Sequence, residues 1–319
     1  MIRISAGSAY VCGLNKLKTD AMPTTAYLMD GENCLNNCSF CPQSRSSLSK
    51  SNLLSRITWP EYSKEDLKHG LAEGERNGLK RVCLQSVKED SGHEKTQTVL
   101  NDITQMTNLP ICVSANIESV EQVKDLINQG ADKVGISLDV CDPNKFNSIK
   151  GGFFEERFKL IKECALKFPD KISTHLIVGL GESEQQVIEL LSELIYLGVH
   201  VGLFAFTPIK GTKLENESPP DIKKYRIIQT VHYLLRYNYI TYDDIIFDNE
   251  NRVIKFGIES ENIKNILKDG EAFETTGCPD CNRPYYNEKP GGIIYNYPRS
   301  LTSEEAQNAV KLVLSRIET

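Results

Sequence analysis

The sequence predicts an α/β fold, a TIM-like (β/α) barrel that is full or nearly full, and three observations carry that expectation. From residue 24 onward, β-prone apolar runs alternate with helical stretches at about 30-residue spacing, the pattern of successive parallel βαβ units. The first β-prone run, 24–29, leads straight into a loop with Cys34, Cys38 and Cys41. Barrels of this kind place their chemistry at the C-terminal ends of the strands. The chain has 319 residues, 40% of them hydrophobic, enough for one large core.

Taken in order, residues 1–25 show little periodicity and read as a strap before the first strand. A helix is expected over 64–77, with Ser63 as N-cap, Glu65 and Asp66 in the first turn and Gly78 as the stop; Gly70 and Gly74 weaken it. Strands at 81–87, 109–116, 133–139, 171–178 and 199–206 alternate with helices at 94–106, 119–129, 153–168, 185–197 and 220–236. A hairpin is expected at 245–257, turning at 249–251, then a short helix at 263–269, a last strand at 272–276 and a terminal helix at 303–317. That makes about seven or eight units. Residues 1–274 read as the barrel with its strap, and 275–319 as an extension that carries a second cysteine loop and packs on the barrel.

The net charge is −6 and no extended basic run appears, which argues against nucleic acid as a partner. No apolar stretch reaches the roughly 18 residues of a membrane span. The start does not read as a signal peptide, so a cytoplasmic setting is expected, where ten cysteines mean metal or redox chemistry rather than disulfides.

Cys34, Cys38 and Cys41 offer three thiolates with no fourth ligand close by, as an Fe–S cluster with one open iron requires; a zinc site would pair them differently. A second CxxC, Cys278 and Cys281, sits in a loop rich in glycine and proline, whose tight turns free backbone amides to bond sulfur. An auxiliary cluster there needs further ligands, for which Cys12 is the best third candidate and Ser300 a labile fourth. A redox pair and a small zinc site are the alternatives. Cys83, Cys112, Cys141 and Cys164 read as small buried hydrophobes. His175, inside a strand, reads as a core histidine. Arg283 and Arg299, with Lys289, would form a basic patch beside the second cysteine pair.

The Cys34–Cys38–Cys41 spacing, with aromatic Phe40 before the last cysteine, resembles the signature of the radical S-adenosylmethionine (SAM) superfamily. The resemblance implies a [4Fe–4S] cluster and a SAM site. Phe40 would contact adenine. Ile177, Gly179 and Glu182 resemble the superfamily's glycine-containing adenine turn. Ser137 and Asp139 would meet the ribose or the methionyl part, and Pro208 marks a segment whose backbone recognises adenine. Gln85 and Ser86 stand where the superfamily often carries Gly-Gly-Glu for the SAM amino group; that motif is missing, so backbone carbonyls near Gln85 must serve.

Within the superfamily the chain resembles the biotin- and lipoyl-synthase-like branch, closest to the two-protein lipoyl synthases of archaea and some anaerobic bacteria. The shared features are residues 23–29, the Cys41-Pro-Gln43 end of the first loop and the tail from Cys278 to Asn287. That implies two [4Fe–4S] clusters, one making a 5′-deoxyadenosyl radical and one donating sulfur to an octanoyl chain on a lipoyl carrier protein. The implied partners are that carrier, a second radical SAM synthase protein, and ferredoxin or flavodoxin as electron donor. Biotin synthase resembles the chain through much of the barrel and holds its sacrificial cluster with cysteines from successive strands. Cys83 and Cys112 fall on comparable strands, but the third position falls at about Ser173. Biotin-synthase-like chemistry on a small free molecule is one rival reading, and an Fe–S electron-transfer or scaffold protein is the other.

Overall fold

Helix caps and β-branched runs divide the chain much as the sequence suggests. The computed structural model describes residues 1–32, 34–288 and 291–317. Its elements are β1 (Ile2–Ile4), α1 (Ala6–Val11), β2 (Thr25–Asp30), β3 (Leu53–Leu54), β4 (Ile57–Thr58), β5 (Glu61–Tyr62), α2 (Lys64–Arg76), β6 (Arg81–Ser86), α3 (Gly92–Thr104), β7 (Ile111–Ala115), α4 (Val120–Asn128) and β8 (Ala131–Ile136). There follow α5 (Pro143–Ile149), α6 (Phe154–Lys167), β9 (Ile172–Val178), α7 (Glu184–Tyr196), β10 (His200–Ala205), α8 (Ile222–Arg236), β11 (Ile246–Phe247), β12 (Val253–Lys255), α9 (Ser260–Leu267) and α10 (Ser303–Leu314). Ser63, Ser119 and Ser183 accept hydrogen bonds from the first-turn amides of α2, α4 and α7, as N-caps do.

The main sheet has eight strands in the order β10-β9-β8-β7-β6-β2-β1-β5. β2 and β6 to β10 run parallel, with helices returning the chain between them; β1 pairs antiparallel with β2, and β5 pairs antiparallel with β1 at the edge. The α/β barrel-like class stands, built on six parallel strands rather than seven or eight units. The expected hairpin at 245–257 forms, but as a separate antiparallel pair, β11 and β12. The expected strand at 272–276 is instead a single 3-10 turn, Glu271–Phe273, followed by one bridge between Glu274 and Tyr297.

The tail does a strand's work in another way. Thr24 and Thr25 hydroxyls donate to the Asp280 carbonyl at 2.6 and 2.8 Å, and the Leu203 amide donates to Thr276 Oγ1 at 2.9 Å. Asn287 Nδ2 donates to the Ala205 carbonyl at 2.9 Å. The segment 276–287 therefore ties the free sheet edge at β10 to the start of β2. The largest core lies between the sheet and its helices, and a second joins α8, α9, α10 and the hairpin. Among the described residues no helix is long and apolar enough to cross a membrane.

Candidate active site

The first cysteine loop leaves the C-terminal end of β2 and is docked by backbone bonds. The Ser39 amide donates to the Ile149 carbonyl at 2.7 Å, Cys38 Sγ lies 3.8 Å from the Lys150 carbonyl, and the Leu214 amide donates to the Ser39 carbonyl at 3.2 Å. Beyond the loop, buried Arg3 on β1 donates to the Ser51 carbonyl at 2.8 Å, and Gln43 donates to the Ser51 and Leu53 carbonyls at 2.7 and 2.6 Å. Burial pushes the Cys38 thiol up to about 11 and the Cys41 thiol to about 12, with the neighbouring thiols of the loop adding to both. Three thiols in mutual electrostatic range, with Cys34 buried and Cys38 and Cys41 half-buried, would lose their protons when a metal centre supplies the positive charge. The donor set thus fits an Fe–S cluster. Among the described residues no three such side chains converge on one mononuclear position; a cluster offers each thiolate its own iron.

Asp139, just past β8, sits at φ +63°, a left-handed conformation that costs a non-glycine residue energy and marks an over-determined site. It is held there by exchange with β9: its amide donates to the His175 carbonyl and its carbonyl accepts from the Ile177 amide, both at 2.8 Å. Lys150 Nζ pairs with its carboxylate and also donates to Ser137 Oγ at 2.9 Å. Arg157 is nearby: burial lowers its affinity for a proton while Asp139, Glu118 and Cys38 raise it. Lys150 is thus neutralised by Asp139, and Arg157, whose Nη1 donates to the Ile117 carbonyl, stands near Cys38 and Asp139. No local motif announces Lys150 or Arg157 in the sequence.

Glu182 is occupied by the chain itself. Its buried carboxylate accepts from the Gly179 and Leu180 amides at 2.8 and 2.9 Å and pairs with Lys224 at 3.2 Å. Gly179 is required by φ +108° and by Pro220, whose Cδ would stand 2.9 Å from any added Cβ. These two residues build the turn after β9. Phe40, Cys41, Gln85, Asp139 and Ile177 line the central cavity; Ser86, Ser137, Gly179, Glu182 and Pro208 are not among its lining residues.

That cavity encloses about 1230 Å³ including its open mouth. Phe40, Cys41 and Pro42 stand at the end where β2 finishes. Thr25, Arg81, Cys83, Cys112 and Ser173, near the starts of their strands, stand at the opposite end with Cys278, Cys281 and Arg283 from the tail. Between them the wall is formed largely by Val113, Ile177, Phe204 and Phe206, with Tyr27, Gln85 and His175. Burial lowers the His175 imidazole to about 4, so it is neutral at neutral pH.

The structure does not bring the expected auxiliary ligands together: Cys278 and Cys281 line the cavity, and Cys12 and Ser300 do not. Cys12 is buried against α2: a Cβ added at Gly74 would lie 3.1 Å from its Sγ, and Cys12 does not line the cavity. Burial raises its thiol to about 12. The two helix glycines that weakened α2 in the sequence are what make room for Cys12 and its neighbour Leu14. Ser300 is exposed and hydrogen-bonds Glu274. Cys83 and Cys112, expected as inert core residues, face the cavity side by side on β6 and β7. Among the described residues the expected basic patch does not form: Arg283 is buried in the cavity wall and Arg299 pairs with Glu305 at 2.9 Å, while Lys289 lies outside the described residues.

Comparison with known proteins shows the family and the fold. The family model described as Radical SAM superfamily matches residues 29–194, over half of the chain. A biotin synthase of Acetivibrio thermocellus is 26% identical over 245 residues, 73% of this chain and 74% of that enzyme. An uncharacterized protein of Methanocaldococcus jannaschii is 32% identical over 160 residues, but the match spans only 48% of this chain and 41% of that protein. Among solved structures, the FeFe-hydrogenase maturase HydG of Carboxydothermus hydrogenoformans superposes with TM-score 0.53 at 17% identity, over 67% of this chain and 52% of that one. Methylornithine synthase gives TM-score 0.52 at 16% identity, over 67% and 62%. At such identity the structural likeness speaks for the fold alone.

Proposed function

The chain belongs to the radical SAM superfamily, and from that premise we propose that it is a cytoplasmic sulfur-inserting enzyme acting on an octanoyl chain borne by a lipoyl carrier protein. The carrying observation is one cavity with Cys41 and Phe40 at one end, Cys278 and Cys281 at the other, and an apolar waist between. In this reading a [4Fe–4S] cluster with SAM on Cys34, Cys38 and Cys41 supplies a 5′-deoxyadenosyl radical, and a second cluster at the CxxC supplies sulfur.

The chain's own residues do the rest. Phe40 offers an aromatic face at the first site. Asp139, fixed by Lys150 and by β9, is aimed at the cavity where a ribose would lie. Lys150 fixes Asp139 in place, and Arg157 stands near both Asp139 and Cys38. Ile177, Phe204 and Phe206 shield a hydrocarbon chain from water, which protects a carbon radical from side reactions. A second radical SAM synthase and a ferredoxin or flavodoxin are the proposed partners.

A biotin-synthase-like reaction on a small free molecule is the second reading, favoured by the names of several relatives. The test is anaerobic turnover with SAM and a strong reductant, offering an octanoylated carrier peptide and, separately, dethiobiotin. Sulfur added to the octanoyl peptide supports the proposal. Sulfur added only to the free molecule transfers the assignment to the second reading, and 5′-deoxyadenosine absent from every reaction overturns both.

A further inference from the structure

We propose that the second metal site is a four-cysteine Fe–S site inside the barrel, ligated by Cys83, Cys112, Cys278 and Cys281. This deepens the proposed function and rests on its placing a cluster at the CxxC.

Parallel register sets the first pair. Cys83 on β6 lies opposite Cys112 on β7, and both line the cavity. The tail brings the second pair to them, fixed by the bonds of Thr24, Thr25 and Leu203 to residues 276–280. The thiols then meet: Cys278 hydrogen-bonds both Cys112 and Ser173, while Cys83 lies within electrostatic reach of Cys278 and Cys281. Cys278 thus enters the barrel beside Ser173, the strand position that carries no thiol of its own.

Two buried arginines point at these sulfurs. Arg81 Nη1 lies 3.3 Å from Cys112 Sγ, and Arg283 Nη1 lies 3.4 Å from Cys281 Sγ. Arg81 also has Asp132 at 2.6 Å. Arg283 also meets the Leu203 carbonyl at 3.3 Å and the face of Phe204 at 4.0 Å, and buried Glu288 lies within electrostatic reach. Glycines clear its path, since a Cβ at Gly202 or Gly277 would lie 3.2 Å from Nη1. Guanidinium groups this close to sulfur favour thiolate over thiol, and four thiolates around bound iron would take up that positive charge. The hydrogen bonds also stabilise charge on sulfur in the manner known to tune clusters. Cys12 has no part in the site.

The test isolates the second site by replacing Cys34, Cys38 and Cys41 with alanine, then reconstituting anaerobically with iron and sulfide. The parent triple variant is expected to hold about four irons per chain. Adding Cys83→Ser or Cys112→Ser should remove more than half of that iron, whereas adding Cys12→Ala should leave it unchanged, with circular dichroism confirming the fold of each. A second measurement needs no further substitution: alkylation of Cys83, Cys112, Cys278 and Cys281, mapped by mass spectrometry, should fall at all four on loading. Full iron in both serine variants, lost only on replacing Cys278 and Cys281, overturns the four-cysteine set and leaves the CxxC cluster standing. A parent that binds no iron, or one zinc in its place, overturns the proposal together with the second-cluster reading.

Discussion

Replacing Glu182 by glutamine separates a turn clamp from a cofactor contact. The carboxylate accepts two backbone N–H bonds, at 2.8 and 2.9 Å, and pairs with Lys224 at 3.2 Å, with its side chain only 1% exposed. Glutamine retains one acceptor oxygen and turns an NH₂ toward a donor. One partner is then left without an acceptor, and the charge assistance of all three bonds is lost. Losing a bond to a charged group costs about 1.5–3 kcal/mol, and breaking a buried pair about 3–5 kcal/mol. Lys224 is 23% exposed and recovers some hydration, so the lower part of that span applies, about 3 kcal/mol in all. At about 2–4 °C per kcal/mol, Tm should fall by roughly 6–12 °C. The assay is calorimetry paired with SAM binding to the anaerobically reconstituted protein at a temperature where the variant is folded. Affinity for SAM should change by less than about twofold. An unchanged Tm with SAM binding lost would refute the clamp and make Glu182 a ligand contact.

Other consequences are as direct. Cys12→Ala should keep full iron and sulfide content and lose about 1 kcal/mol of stability in urea denaturation, because it removes only packing against α2; iron loss would return Cys12 to the ligand set. Cys38→Ala should abolish 5′-deoxyadenosine formation while about half the iron remains visible by Mössbauer spectroscopy; loss of all iron would mean the two sites are not independent. Desolvation lowers half-buried His175 to about 4 and buried His232 to about 3, so the unfolded chain binds protons that the folded chain refuses. The contribution of these histidines is therefore complete above their unfolded value near 6.5 and is lost as pH falls from there through about 4. Urea titrations of the metal-free protein should show that fall, and His175→Leu/His232→Leu should flatten it. An equal slope in the double variant would contradict the burial argument.

The parts of the molecule legible in the sequence are those governed by local rules. Strand runs bounded by glycine stops gave β6 to β10, and Ser63 marked α2 because capping is a nearest-neighbour effect. Cys34, Cys38 and Cys41 were readable for the same reason: their ligand spacing lies within one loop. β1 and α1 escaped notice because three and six residues are too few to show a period. The tail was misread at 272–276, where apolar Ala272 and Phe273 look strand-like but are buried in the second core.

Cysteine roles were the least legible part. Cys12 looked available because its surroundings in sequence are featureless, yet helix glycines 50 or more residues later bury it. Cys83 and Cys112 looked inert because a buried thiol and a ligand have the same sequence signature. What distinguishes them is which face of the sheet they share and what the tail brings there, both long-range facts. Arg157 and Lys150 belong to the same class: their place beside Cys38 and Asp139 follows from helix packing, with no motif around either.

The account turns on one cavity serving both thiol groups, and a labelled substrate tests that most directly. An octanoylated carrier peptide, deuterated along its chain, is incubated anaerobically with SAM, reductant and either the wild-type protein or the Cys278→Ala/Cys281→Ala variant. Wild type should deliver deuterium into 5′-deoxyadenosine and one sulfur atom into the octanoyl chain, whereas the variant should still deliver deuterium and add no sulfur. Sulfur insertion by the variant, or wild-type 5′-deoxyadenosine free of substrate deuterium, would contradict the shared cavity as the place where radical and sulfur meet.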